Sequence, residues 1–148
     1  VVVVTGHDAA SVRQALLGLS VKFVHNPHFD EGLSTSLRAG IGVVNRTFGG
    51  AAILLGDMPR LKLQSLEALI DQFDESKGTS ICVPKCNGRW GNPVVWPREF
   101  YADILELSGD RGARVLLDQY SSRITEVLCA DTGVLMDIDT PADLAALT

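Results

Sequence analysis

The chain has 148 residues, 46% of them hydrophobic and 21% charged, enough for one domain over residues 1–148 with a real core. Its net charge of −5 argues against a broad nucleic-acid surface and leaves room for a small anionic ligand only where Arg and Lys gather locally. No apolar run approaches the roughly 18 residues of a membrane span, no signal peptide or basic tail is visible, and the three cysteines, Cys82, Cys86 and Cys129, stand in no C-x-x-C spacing, which fits a reducing, cytoplasmic setting.

Taken in order, Val1 to Thr5 is a strand by its β-branched run. Gly6-His7-Asp8 turns the chain, His7 reading as a surface or capping residue, and Asp8 or Ser11 caps a helix to about Leu19. Lys22-Phe23-Val24 is a second strand, so the opening is a βαβ unit that favours a parallel sheet. The loop Asn26–Gly32 is rich in breakers and leads into Leu33, Leu37, Ile41 and Val44 at helical spacing, a helix starting near Ser34. Ser34, Thr35 and Ser36 crowd its first turn. Such hydroxyls either cap the helix or, with its free N–H groups, meet a polar or anionic ligand.

The stretch Ala51-Ala52-Ile53-Leu54-Leu55-Gly56-Asp57-Met58-Pro59 reads as a central parallel strand, buried on both faces, and its exit. Gly56 allows a sharp turn and close approach of a ligand. Asp57 falls just past the strand's carboxyl end, where open α/β sheets bind ligands. A carboxylate there suits Mg²⁺, which takes a few carboxylates together with phosphate oxygens; the competing reading is a turn in which Asp57 only caps backbone amides.

Leu63 to Phe73 repeats apolar residues as an amphipathic helix, and Ser80–Pro84 is a strand. Asn87-Gly88 signals a hairpin, after which Arg89–Trp96 continues extended and antiparallel, with Asn92 held between Gly91 and Pro93. Pro97 to Leu107 reads as a helix, Asp110 as N-cap of another through Val115–Leu117, and Ile124–Leu128 as a strand. Arg111 and Arg114, a helical turn apart, either share an anion or form exposed pairs near Asp118. Asp137 and Asp139 alternate, pointing to one side of an extended segment; one of them could complete a metal site with Asp57, while Asp at a strand-to-helix junction, taken alone, reads as structural. Thr140 then caps a last helix that opens at Pro141. The chain carries no G-x-G-x-x-G, no Walker-type loop and no Ser-His-Asp arrangement.

The succession Gly32-Leu33-Ser34-Thr35-Ser36-Leu37-Arg38-Ala39-Gly40, Gly56-Asp57-Met58-Pro59, Gly91-Asn92-Pro93-Val94, Gly109-Asp110-Arg111-Gly112-Ala113-Arg114 and Asp137-Ile138-Asp139-Thr140-Pro141-Ala142-Asp143-Leu144 resembles the MobA-like nucleotidyltransferases, and within them the molybdenum cofactor cytidylyltransferases. The resemblance implies a Rossmann-like, three-layer α/β/α fold with a mainly parallel sheet. It implies transfer of CMP from CTP to molybdopterin with release of pyrophosphate. Asp57 resembles the Mg²⁺-binding aspartate, Asp139, with Asp137, the second acidic position, Ser34-Thr35-Ser36 the segment near base and ribose, and Asn92, Arg111 and Arg114 residues facing the pterin. It further implies a molybdenum hydroxylase as target enzyme. A related enzyme using GTP or a sugar-phosphate acceptor, and a non-catalytic molybdenum cofactor carrier, are the alternatives.

The family's opening strand, its L-x-A-G-x-S-x-R-M-G loop and the lysine beyond, on the order of 40 residues by the size of such a unit, have no counterpart here, since the chain opens at Val1 already inside a strand. The expectation is therefore a chain that lacks its N-terminal βα unit and by itself is inactive.

Overall fold

The computed structural model describes every residue except 111, 146 and 148. In chain order come β1 (Val2–Thr5), α1 (Ala9–Ala15), β2 (Lys22–His25), α2 (Leu33–Ile41), β3 (Gly50–Ile53), α3 (Leu63–Glu75) and β4 (Ile81–Cys86). Then follow β5 (Arg89–Trp90), β6 (Val94–Pro97), α4 (Tyr101–Leu105), α5 (Arg114–Gln119), β7 (Ile124–Leu128) and α6 (Pro141–Ala145). They form two compact units, residues 1–48 with 99–121, and residues 49–98 with 122–148.

In the first unit β1 and β2 pair in parallel, Val2 opposite Lys22 and Thr5 opposite His25, as the opening βαβ pattern requires. Here α1 ends at Ala15 rather than near Leu19, because a turn follows in which Gly18 takes a left-handed φ of 88°. The apolar face of α2 packs against α4 and β1, and Leu37, Ile41, Phe100, Ile104, Leu107, Leu116 and Leu117 are buried. Two helices differ from the sequence reading. Pro97 ends β6 instead of opening a helix, and a 3₁₀ turn, Arg98–Phe100, leads into the short α4. The N-cap of α5 is Ala113, not Asp110.

The second unit is a mixed sheet with α3 against it. Residues of β3 pair antiparallel to β6, Ala51 opposite Trp96, and β6 in turn pairs antiparallel to β4 through Cys82 and Val95. On its other flank β4 runs parallel to β7 from Ile81–Ile124 to Lys85–Leu128. So β3, β4 and β7 share one direction, and β6 is the reversed strand inserted between β3 and β4. This revises the reading of Ala51–Leu55. All four residues of β3 are only half-buried, and the strand stands at the end of the order β3-β6-β4. The apolar run announces a strand, but the strand that reaches its side is chosen by a segment some forty positions on in the chain (Val94 lies opposite Ile53).

The Asn87-Gly88 turn is the hairpin expected, both residues at positive φ (51° and 75°), as a tight two-residue turn demands. Leu69, Phe73, Cys82 and Val95 make the core beneath α3, flanked by Ala52 and Val127. Burial pushes the Cys82 thiol up to about 11, so it behaves as a core side chain. At the far end Thr140 and Asp143 cap α6 reciprocally. The Asp143 N–H donates to Thr140 Oγ1 (3.2 Å), while Thr140 N–H and hydroxyl donate to Asp143 Oδ2 (2.8 and 2.7 Å). No helix among the described residues is long and apolar enough to cross a membrane.

Candidate active site

The predicted residues fall in both units. In the first, α2 begins at Leu33, with Gly32 in the N-cap position at φ 107°. A side chain at 32 would collide with the Asp110 carboxylate and the Gly109 backbone, so glycine is required there. The Ser34 N–H donates to the Gly109 carbonyl (3.2 Å), which fastens the 109–112 loop to the start of α2.

The three hydroxyls of that turn have different duties. Thr35 shares its hydroxyl proton between the carbonyls of His28 (2.7 Å) and Gly32 (2.9 Å) and accepts from Asn26 Nδ2 (2.7 Å). Ser36 accepts from the same Asn26 amide (3.0 Å). Asn26 Oδ1 takes the His28 N–H (3.0 Å). Asn26, only 2% exposed, is thus the hub that shapes the loop, and it reads in the sequence only as part of a breaker-rich stretch. Ser34 Oγ is buried without a partner among the described residues. Neither simple capping nor uniform ligand contact describes the trio: Thr35 is committed to its own chain and Ser34 is not.

This difference has a measurable consequence. Thr35→Val is expected to cost about 1–3 kcal/mol, because it leaves buried partners unpaired. Ser34→Ala should leave stability unchanged or slightly higher, because it removes a buried hydroxyl that bonds to nothing. Urea unfolding of the two variants side by side checks this; equal losses would contradict it. Arg114 opens α5 and is exposed, and Arg111 lies outside the described residues.

The second unit holds the acidic residues. β3 ends at Ile53, and Leu54 to Arg60 form its exit. The Asp57 carbonyl accepts the Ile138 N–H (3.0 Å), which sets the β3 exit beside the segment carrying Asp137 and Asp139. Both of these aspartates are exposed, and Asp57 is half-buried. Asp57 Oδ1 is buried with no hydrogen-bond partner among the described residues. A desolvated carboxylate oxygen in that condition is costly unless a cation or donor completes it. The amide-capping reading of Asp57 therefore has no support at this oxygen. Gly56 is exposed, its φ is not left-handed, and a Cβ there would meet nothing. The protein's own packing does not demand glycine at that position.

Asn92 is drawn to the same segment, its N–H donating to the Val134 carbonyl (2.8 Å). Its bond to Pro93 is cis. Gly91 lies so close to Val134 that any side chain would strike that carbonyl. The segment after β7 is thus a common wall for Asn92 and Asp57.

One residue of that wall escaped the sequence reading. Asp131, 7% exposed, accepts from the N–H of Lys62 (3.0 Å), the hydroxyl of Ser65 (2.8 Å) and the N–H of Gly133 (2.9 Å). Burial alone would raise its carboxyl, but these hydrogen bonds outweigh it and hold the group below the ordinary carboxylate value. Its contribution to stability is therefore present above the usual carboxylate range and is lost as pH falls through the lowered value. Among the described residues no three His, Cys, Asp or Glu side chains form a ready metal cluster. A cation at Asp57 would take only one or two protein carboxylates and complete its shell with substrate oxygens, a habit of Mg²⁺.

β3, β4 and β7 running in one direction, with helices packed on the strands, define an α/β protein. The chain belongs to the family described as the MobA-like NTP transferase domain, whose model matches residues 1–124. It is similar to the molybdenum cofactor cytidylyltransferase of Escherichia coli, 24% identical over 147 residues that cover 97% of this chain and 71% of that protein. It is also similar to the purine catabolism protein PucB of Bacillus subtilis, 36% identical over 95 residues, covering 64% of this chain and 44% of PucB. Among solved structures, the Rv0371c protein of Mycobacterium tuberculosis in complex with manganese superposes with a TM-score of 0.76 at 26% identity, covering 99% of this chain and 75% of that one. The Rossmann-like nucleotidyltransferase fold and the family membership agree with the resemblance drawn from the sequence motifs.

Proposed function

We propose that this protein is a Mg²⁺-dependent cytidylyltransferase that transfers CMP from CTP to molybdopterin and releases pyrophosphate, the whole chain serving as one MobA-like domain. The observation that carries the metal-dependent part is the buried, unpartnered Asp57 Oδ1 beside the Asp137–Asp139 segment. The choice of CTP and molybdopterin rests on the likeness to the Escherichia coli cytidylyltransferase.

In this reading an oxygen of the pterin phosphate attacks the α-phosphorus of CTP. The bond from that phosphorus to the β-bridging oxygen breaks, and pyrophosphate leaves with the electron pair. No nucleophile on the protein is needed, so the residues act by positioning and by electrostatics. Asp57, with Asp139 and Asp137, would hold Mg²⁺, whose charge offsets the repulsion between two polyanions. Ser34, the one hydroxyl of its trio with no partner among the described residues, contacts the nucleotide, and Thr35 and Ser36 shape the turn around it. Asn92, Arg111 and Arg114 serve the pterin side, the arginines as donors to phosphate. A molybdenum hydroxylase is the expected recipient of the product, and the cytoplasm the expected place.

The test is pyrophosphate release by the full-length protein with Mg²⁺, molybdenum-loaded molybdopterin, and CTP or GTP in parallel. Release with CTP alone is expected. Release with GTP alone would replace this reading with a guanylyltransferase. Failure with both, by protein that still binds the cofactor, would replace it with a carrier or a different acceptor.

A further inference from the structure

Two contacts join the β3 exit to the segment after β7, and a third joins the start of α3 to it. The Asp57 carbonyl meets the Ile138 N–H (3.0 Å). Gly133 lies against the Arg60 carbonyl so closely that any side chain there would collide. Asp131 bonds Lys62 and Ser65 through Oδ2 and its own loop, at Gly133, through Oδ1. Lys62 is the N-cap of α3, and Ser65 lies in its first turn. The carboxylate therefore ties the start of α3 to the segment that carries Asp137 and Asp139. Of the three contacts, it is the one made by a charged side chain, and charge-assisted hydrogen bonds are the stronger and more directional kind. Its oxygens accept three donors and it is 7% exposed, so the carboxylate is engaged with the chain's own N–H and O–H groups.

We infer that Asp131 is a positioning residue, whose carboxylate sets the spacing between Asp57 and the Asp137–Asp139 segment and so the affinity of the cation held there. This rests on the reading of Asp57 as a metal ligand. Asp131→Asn keeps the shape but turns one acceptor oxygen into a donor. That donor must then face either the Gly133 N–H or the Lys62 and Ser65 pair. Ser65→Ala is milder and removes one of the three donors.

The test is Mn²⁺ binding to the full-length protein without nucleotide, followed by the electron paramagnetic resonance signal of free Mn²⁺, with thermal melting in parallel. Asp131→Asn is expected to weaken Mn²⁺ binding about ten-fold, the lower end for loss of a group that orients a ligand. Ser65→Ala should weaken it less, in the same direction. If the folded variants melt lower but bind Mn²⁺ with wild-type Kd, Asp131 is structural only and the inference is overturned. If Asp131→Asn does not fold, an unchanged Kd in Ser65→Ala overturns it equally. Asp57→Ala separates the two levels: should it too bind Mn²⁺ like wild type, the metal reading itself has failed and the positioning role falls with it. A weakened Asp57→Ala beside unchanged Asp131→Asn and Ser65→Ala refutes the positioning role alone.

Discussion

Asp57→Ala in the full-length protein is expected to cut nucleotidyl transfer by about a hundred- to a thousand-fold, the scale for losing a preorganised electrostatic group. Stability should not suffer. The side chain is half-buried, and its Oδ1 is desolvated without a partner, so truncation removes a penalty rather than a bond. The metal-free variant should melt at or slightly above the wild-type temperature. Steady-state pyrophosphate release and a melting curve on the same preparation check both halves. Wild-type-like turnover would refute the metal role. Lost turnover with a large drop in melting temperature would show that Asp57 holds the fold instead.

Leu69→Ala carries the largest expected effect on stability, a loss of about 2–5 kcal/mol. Leu69 is fully buried on α3 among Phe73, Cys82 and Val95. Its removal leaves a cavity that strands β4 and β6 cannot close without breaking their pairing. Leu63, on the same helix but 67% exposed, supplies the control. Leu63→Ala should shift stability by no more than about 0.5 kcal/mol. Urea unfolding with the slope compared between variants distinguishes the two. Similar losses at both positions would mean that Leu63 is covered in solution.

These expectations divide along the line between local and distant information. Elements governed by neighbours in the chain were legible. The run Ile124–Leu128 is a strand end to end, Asn87-Gly88 turns at positive φ, and Thr140 caps the last helix. Each depends on backbone preferences or on hydrogen bonds spanning a few residues. That Asp57 follows a strand was legible for the same reason, although β3 ends at Ile53, two residues before the apolar run reaches Gly56. Helix boundaries were not. Pro97 suits a first helical turn as well as the last position of a strand, and its place opposite Gly50 decided the matter.

The sequence by itself determined the α/β class, the hairpin, the family motifs and the acidic residues worth testing, because periodicity, turn chemistry and motif spacing are written in consecutive residues. Only the tertiary structure decided that β6 lies between β3 and β4, that Thr35 is bound within its own chain while Ser34 is not, and that Asp131 matters. Asp131 finds its donors at Lys62 and Ser65, 69 and 66 positions away. A buried carboxylate is recruited by whichever N–H and O–H groups folding brings to it. Nothing in the residues beside it announces those partners, and the cost of leaving them unpaired appears only once water has been removed.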